Sequence, residues 1–293
     1  MKILIWQTPL SSLQSLPMRS TIIIPARYAS NRFPGKPLAL IAHKTMLQRL
    51  IEIAHSAAAD FDNIEVIVAT DDERIADHTR SLNTQVLMTS MDCPTGTDRC
   101  LDAIQQLPYQ PDFVLNLQGD APFTPAHFLK ALLHSAVQDP HLAVATPVVA
   151  LDWAALDKLR SNKLTTPFSG TTAVFDKDYN ALWFSKNIIP AIRNEKKLRE
   201  TDPVSPVFQH IGLYLYRYDI LEQYVSMPQT HYEMLEELEQ LRLLENNINI
   251  RIVPVKYNGP KPPSGIDSPE DLQRAEDFIK KHGEQIDPKL RQI

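Results

Sequence analysis

The chain has 293 residues, of which 43% are hydrophobic, and a formal net charge of −5. A folded chain of this size buries roughly 75% of its unfolded surface, enough for one large core, so one large domain, or one domain with an inserted subdomain, is expected. Mild acidity without a basic, aromatic-interleaved patch argues against nucleic acid as partner, and no apolar run reaches the ~20 residues of a membrane span.

Met1 to Ser20 carry neither the basic start nor the long apolar stretch of a signal peptide, which fits a cytoplasmic protein. Residues 1–20 are read as an N-terminal extension, either disordered or, over 1–17, the product of an early start codon, with one domain over 21–285 and a subregion at 150–230 that closes over the site or makes a dimer contact. Cys93 and Cys100 are the only cysteines. Their spacing is not that of a Cys-x-x-Cys pair and they make no disulfide framework, so reduced thiols are expected.

The first strand is expected over Thr21–Ile24. Its apolar run stops abruptly, and the following loop carries Arg27, Arg32 and Lys36. Three cations after a buried strand point to a polyanion site, most simply a nucleoside triphosphate; a solvated surface loop is the bland alternative. Neither Gly-x-x-x-x-Gly-Lys-Ser/Thr nor Gly-x-Gly-x-x-Gly occurs, so side-chain cations and backbone amides of this loop would hold the phosphates.

Strands are expected next over 65–70, 85–88, 112–118 and 143–149, with helices over 45–59, 72–81, 97–106 and 125–137. This alternation implies a parallel sheet covered on both faces, with ligands beyond the carboxyl ends of its strands. The basic loop and Gln118-Gly119-Asp120 both follow strands and should share that edge. After residue 150 the pattern changes. Residues 172–175, 181–185 and 212–217 read as antiparallel strands joined by a polar stretch at 193–206. A helix over 232–246, striped by Met234, Leu238, Leu241 and Leu244, and a strand over 248–255 follow.

Only eight glycines occur. Gly35, Gly96, Gly119, Gly212 and Gly265 each sit beside polar residues at an expected element end, where glycine permits close approach of backbone to ligand. Asp120 brings a carboxylate to the ligand edge, and Asp267 brings another from far downstream. Two aspartates on separate loops could hold Mg2+, with substrate phosphates completing its shell. Asp267 also precedes a helix start, with Ser268 as N-cap and Pro269 at the first helical position; both readings can hold. Within Pro94–Arg99, Thr95 or Thr97 would cap a helix or contact base or sugar. Arg99 in the first helical turn opposes the macrodipole, which points to an anionic partner elsewhere. His210 stands at a strand entry with no zinc-type cluster around it. Glu233, Glu236 and Gln240 fall on one helix face, either solvated or serving as acceptors for a hydroxyl-rich ligand.

In order along the chain stand Ile-Pro-Ala-Arg-Tyr-Ala-Ser-Asn-Arg-Phe-Pro-Gly-Lys-Pro-Leu (24–38), Val-Ala-Thr-Asp-Asp (68–72), Met-Thr-Ser (88–90), Gly-Thr-Asp-Arg (96–99), Asn-Leu-Gln-Gly-Asp (116–120), Ala-Leu-Trp-Phe-Ser (181–185), His-Ile-Gly-Leu-Tyr (210–214), Leu-Glu-Gln-Leu-Arg (238–242) and Gly-Ile-Asp-Ser-Pro-Glu-Asp-Leu (265–272). This set resembles the 3-deoxy-manno-octulosonate cytidylyltransferases. The resemblance implies an α/β fold, a three-layer α/β/α mostly parallel sheet of the nucleotide-diphospho-sugar transferase type with an antiparallel extension. It implies transfer of CMP from CTP to an eight-carbon 3-deoxy sugar acid, with Mg2+, in a cytoplasmic homodimer that supplies lipopolysaccharide synthesis. Carried over position by position, Asp120 and Asp267 would hold the metal, and Arg27 and Lys36 the β- and γ-phosphates. Ala26 and the Thr95-Gly96-Thr97 turn would read the base. Gln118, His210, Tyr214, Glu236, Glu239 and Gln240 would line the sugar pocket, with Arg99 facing the sugar carboxylate.

The chain departs from the family pattern at Ala121, at Pro167–Thr172 and in the order of acids within 232–246, all near the expected sugar pocket and metal. These changes leave nucleotide transfer in place and open the sugar to modified octulosonates, such as an 8-amino form. A nonulosonate cytidylyltransferase should alter the 210–214 and 238–242 motifs, and a non-catalytic homologue should have lost Asp120, Asp267 or Lys36; all are present.

Overall fold

The computed structural model describes residues 18–29, 33–263 and 265–284. The extension through residue 17, Arg32 and Ser264 lie outside them. Residues 18–20, assigned above to the extension, belong to the domain. The first strand begins at Ser20, and the Arg19 amide donates to Asp112 Oδ2 at 2.8 Å while its guanidinium lies 3.3 Å from the Tyr109 ring centroid.

The first half alternates strand and helix. β1 (Ser20–Ala26), a small hairpin of β2 (Leu40–Ile41) and β3 (Lys44–Thr45), and α1 (Met46–Ala58) lead to β4 (Ile64–Thr70). Then come α2 (Glu73–Ser81), β5 (Gln85–Met88), α3 (Gly96–Ile104), β6 (Phe113–Asn116) and α4 (Ala126–Gln138). β5, β4, β1 and β6 lie side by side in that order, all parallel. β1 shows why its apolar run is unbroken. Ile22 and Ile24 enter one core and Ile23 the other, each fully buried, as expected of a central strand covered on both faces. Each such side chain contributes roughly 1.5–3 kcal/mol.

The second half starts with β7 (Val144–Asp152) and α5 (Trp153–Lys163), then β8 (Thr172–Phe175), β9 (Ala181–Ser185), α6 (Glu195–Thr201), β10 (Val204–His210) and β11 (Tyr214–Arg217). It closes with α7 (Tyr218–Ser226), α8 (His231–Glu236), α9 (Gln240–Glu245), β12 (Ile250–Val255) and α10 (Pro269–His282). β12 runs parallel to β7 along residues 144–149, while β11 and then β10 pair antiparallel with the same stretch of β7. A strand has two edges, so β10 and β11 must share one of them as a single interrupted strand. The break falls at Ile211–Leu213. Beyond it β11 continues onto β6, while β10 turns to β8 and β9. The sheet therefore forks between β6 and β8, and the cleft described below opens there.

Three expectations are corrected. The polar stretch at 193–206 contains a helix, α6, and the start of β10. α5 and α7 were not anticipated, although Asp152 caps α5 by accepting from the Ala155 amide at 2.7 Å. The single helix over 232–246 is two short helices, α8 and α9, broken at Glu237 in the left-handed region (φ 50, ψ 49).

Candidate active site

The carboxyl ends of β1 and β6 and the start of α3 enclose a cavity of about 400 Å³ lined by Ala26, Arg27, Lys36, Cys93, Thr95, Gly96, Arg99, Gln118, Gly119, Asp120 and Asp267, among others. The loop after β1 is pinned at both ends. The Gly35 amide donates to Tyr28 O at 2.9 Å, and the Arg74 guanidinium lies 3.3 Å from the Tyr28 ring centroid. Gly35 has φ 71, and a Cβ there would come within 3.0 Å of the Tyr28 ring, so glycine is required for the turn that presents Lys36.

Asp120 and Asp267 line the same cavity, and a backbone bond ties their segments together. The Ile266 amide donates to Asp120 O at 2.9 Å. Lys36 Nζ lies 3.2 Å from Asp267 Oδ1. Ser268 caps α10, with its hydroxyl accepting from the Asp271 amide and Asp271 answering as a capping box. Asp267 is therefore both the residue before a helix cap and a wall of the cavity. Ile266 and Ala275 pack with Ile41, Met46 and Phe123 in a small separate core, and that docking holds the Asp267 segment in place.

Gly119 is fixed by space and not by φ: a Cβ there would sit 2.5 Å from Pro25 O. Gly119→Ala must push the β1 and β6 ends apart, which separates the basic loop from Asp120. We expect at least a ~10²-fold loss of activity, since a displacement of about 1 Å at a reacting site costs that much. Steady-state kinetics and a thermal melt check it; an alanine variant with wild-type kinetics would show that the two strand ends need not touch.

At the fork lies a second cavity, of about 460 Å³, lined by Thr95, Gly96, Gln118, Asp120, Thr171, His210, Gly212, Tyr214 and Glu237 to Gln240. It shares Thr95, Gly96, Gln118 and Asp120 with the first. Tyr214 donates to Gln240 Oε1 at 2.9 Å, which leaves the buried Gln240 Nε2 without a partner among the described residues. Glu239 Oε2 accepts from Thr97 Oγ1 at 3.0 Å and Tyr224 OH at 3.5 Å, and burial pushes its pKa up. Thr146 Oγ1 lies 2.9 Å from Leu213 O and 2.8 Å from His210 Nε2. Its single proton goes to the carbonyl, so Nε2 must donate to Thr146 and Nδ1 keeps its lone pair.

Burial holds the His210 pKa down to about 3. The unfolded chain takes up this proton near pH 6.5 while the folded chain does not, so stability falls as the pH drops from 6.5 towards 3. The slope from this group is about 1.4 kcal/mol per pH unit. His210→Asn should flatten the acid limb of stability in denaturant titrations between pH 6 and 4; an unchanged limb would place the acid sensitivity elsewhere.

The structure brings together Ala26, Arg27, Lys36, Thr95, Gly96, Gln118, Asp120, His210, Tyr214, Glu239, Gln240 and Asp267 from the residues expected above. Three expected residues are placed differently. Thr97 is fully buried and spends its hydroxyl on Glu239 and on Asn116 Nδ2. Glu236 is absent from both linings. Its carboxylate accepts from Ser185 Oγ at 2.7 Å and the Lys186 amide at 2.6 Å, because the break at Glu237 turns it towards β9. Arg99 lines the first cavity, not the second, and has its anionic partner within the chain: Nη2 lies 2.9 Å from Asp71 Oδ2, and Nη1 donates to Thr89. In the second cavity the linings unforeseen in sequence are Glu237 and Leu238, hidden by an unbroken helical pattern, and Thr171, just before β8; in the first, Cys93 is among them.

Comparison with known proteins shows the family. The family model described as Cytidylyltransferase matches residues 21–251. The 3-deoxy-manno-octulosonate cytidylyltransferase of Maricaulis maris is 44% identical over 264 residues, covering 90% of this chain and 98% of its own. That of Bacteroides thetaiotaomicron is 40% identical, covering 88% and 97%. A solved CMP:2-keto-3-deoxy-manno-octonic acid synthetase complexed with CTP superposes with a TM-score of 0.75 at 33% identity, covering 90% of this chain and 99% of that one. A 4-diphosphocytidyl-2C-methyl-D-erythritol synthase from Anaerococcus prevotii, 14% identical with a TM-score of 0.54, shares the fold. The α/β sheet with its cleft at the strand ends is thus that of a nucleotidyltransferase. Within that class the chain belongs to the cytidylyltransferase family, among the 3-deoxy-manno-octulosonate cytidylyltransferases.

Proposed function

We propose that this chain transfers CMP from CTP to the anomeric hydroxyl of 3-deoxy-manno-octulosonate, releasing pyrophosphate. The observation that carries this reading is the junction of the two cavities. The first gathers cations and carboxylates, the second gathers hydrogen-bonding groups, and Asp120 belongs to both. Arg27 and Lys36 lie where they can take the β- and γ-phosphates, and Gln118, His210, Tyr214, Glu239 and Gln240 can hold the sugar hydroxyls. Such transfer depends on alignment and charge neutralisation more than on a protein nucleophile.

Among the described residues no group of three or more His, Cys, Asp or Glu could hold a metal ion. Two carboxylates are what Mg2+ uses when phosphates complete its shell, so Asp120 and Asp267 fit a metal that enters with the nucleotide. When bound it would neutralise phosphate charge and lower the pKa of a coordinated hydroxyl. No helix among the described residues is long and apolar enough to cross a membrane. We place the enzyme in the cytoplasm, as a homodimer through the 150–230 region, supplying activated sugar for lipopolysaccharide.

A second reading, an octulosonate bearing an amino group, is favoured by one observation. Asp120, Glu237 and Glu239 line the second cavity, and no Lys or Arg does so among the described residues. The test is pyrophosphate release with CTP and Mg2+, comparing the octulosonate, its 8-amino analogue and N-acetylneuraminate. Release with an octulosonate supports the reading and selects between its two forms. Release only with neuraminate, or CTP binding without release, overturns it.

A further inference from the structure

The second cavity takes four consecutive lining residues, Glu237 to Gln240, from the turn between α8 and α9 and the first residue of α9. Each of these helices is six residues long, far below the length at which a helix persists by itself. The turn passes through a left-handed glutamate, a conformation that non-glycine residues keep only where the surroundings impose it. Local propensity therefore does not hold this wall of the cavity.

What surrounds the turn is a buried ion pair across its two stems. Arg242 on α9 donates from Nε to Glu233 Oε2 at 2.8 Å and from Nη2 to Glu233 Oε1 at 2.5 Å, a two-pronged contact with α8. Its remaining prong reaches Tyr224 O at 3.3 Å and Met227 O at 3.2 Å, so the pair is also tied to the end of α7. The side chains are 10% and 5% exposed. Glu233 Oε2 also accepts from the Thr230 amide at 3.1 Å. The Arg242 guanidinium lies 4.4 Å from the Tyr224 ring centroid, and that ring's hydroxyl approaches Glu239. A second link, from Thr230 Oγ1 to Glu245 Oε2 at 2.6 Å, closes the stems further along. A planar fork on a carboxylate fixes direction as well as distance.

We propose that Glu233 and Arg242 are positioning residues for sugar recognition. Their pair sets the height and angle of the 237–240 turn, so that Glu239 and Gln240 meet the sugar while the nucleotide side is untouched. This rests on the second cavity being the sugar site. Removing one partner leaves a buried charge alone and can unfold the region, so the informative variant replaces both, Glu233→Leu with Arg242→Met. Arg242→Lys, which keeps the charge but not the fork, is measured beside it.

The readouts are KM for the octulosonate, KM for CTP, the melting temperature, and hydrogen exchange of the 238–240 amides in the nucleotide-free protein. In both variants we expect a folded protein with sugar KM raised ~10-fold or more, CTP KM within twofold, and exchange at 238–240 faster by a similar factor. Unchanged sugar KM and exchange in a folded variant would overturn the proposal, as would a parallel rise of both KM values. If the wild-type chain turns over no sugar, the functional reading fails, and exchange alone decides whether the pair holds the turn.

Discussion

Asp120→Asn is expected to lower kcat by on the order of 10³-fold, about 4 kcal/mol of transition-state stabilisation, with the melting temperature little changed. The amide keeps the shape and the backbone bond from Ile266 to Asp120 O but loses the charge. Asp120 lies at the junction of the two cavities, so its carboxylate can act on the phosphate under attack and on the attacking hydroxyl together. The substitution should also abolish the Mg2+ dependence of CTP binding, read by calorimetry with and without the metal. If the asparagine variant turns over within tenfold of wild type and still needs Mg2+ to bind CTP, Asp120 is not the metal ligand.

Lys36→Met should cost ~10²- to 10³-fold in kcat/KM for CTP, the scale for losing one group that stabilises developing charge. Lys36 opens the 3-10 turn Lys36–Leu38, and methionine matches the apolar stem of lysine without its charge. Its side chain is 17% exposed, and its ammonium stands 3.2 Å from Asp267, which places positive charge beside a carboxylate in the wall of the first cavity. A half-exposed pair of this kind adds little to stability, so the melting temperature should move by only a degree or two. A large drop in melting temperature with catalysis intact would make the pair a structural tie instead.

The parallel half of the fold was legible because its signals are local. An unbroken apolar run such as Ile22–Ile24 has few interpretations, and amphipathic helices between such runs force the crossover topology. Asp120 and Lys36 could be placed because each follows a strand end. The rest depended on contacts distant in sequence. No periodicity shows that Arg99 meets Asp71, or that Arg242 meets Glu233. The stripe across 232–246 runs on through Glu237, where no glycine, proline or asparagine marks the break, so one helix was read where tertiary ties impose two. Glu236 was misplaced for the same reason, since a turn after it rotates its side chain towards Ser185. Gly119 was noticed for its position, but its cause, the carbonyl of Pro25 against the absent Cβ, is visible only in three dimensions.

The fork of the sheet has a consequence for how such a protein can diversify. The first cavity opens at the ends of the parallel strands on one side of the split, and the residues that line only the second hang from the antiparallel ribbon and the α8–α9 turn on the other. Drift in the ribbon can reshape the second cavity while the first is inherited intact. A lineage could then move between related sugar acids by small steps, each intermediate still competent to bind and activate CTP. The stretch 167–172 leads into β8 on the ribbon side, where that freedom lies.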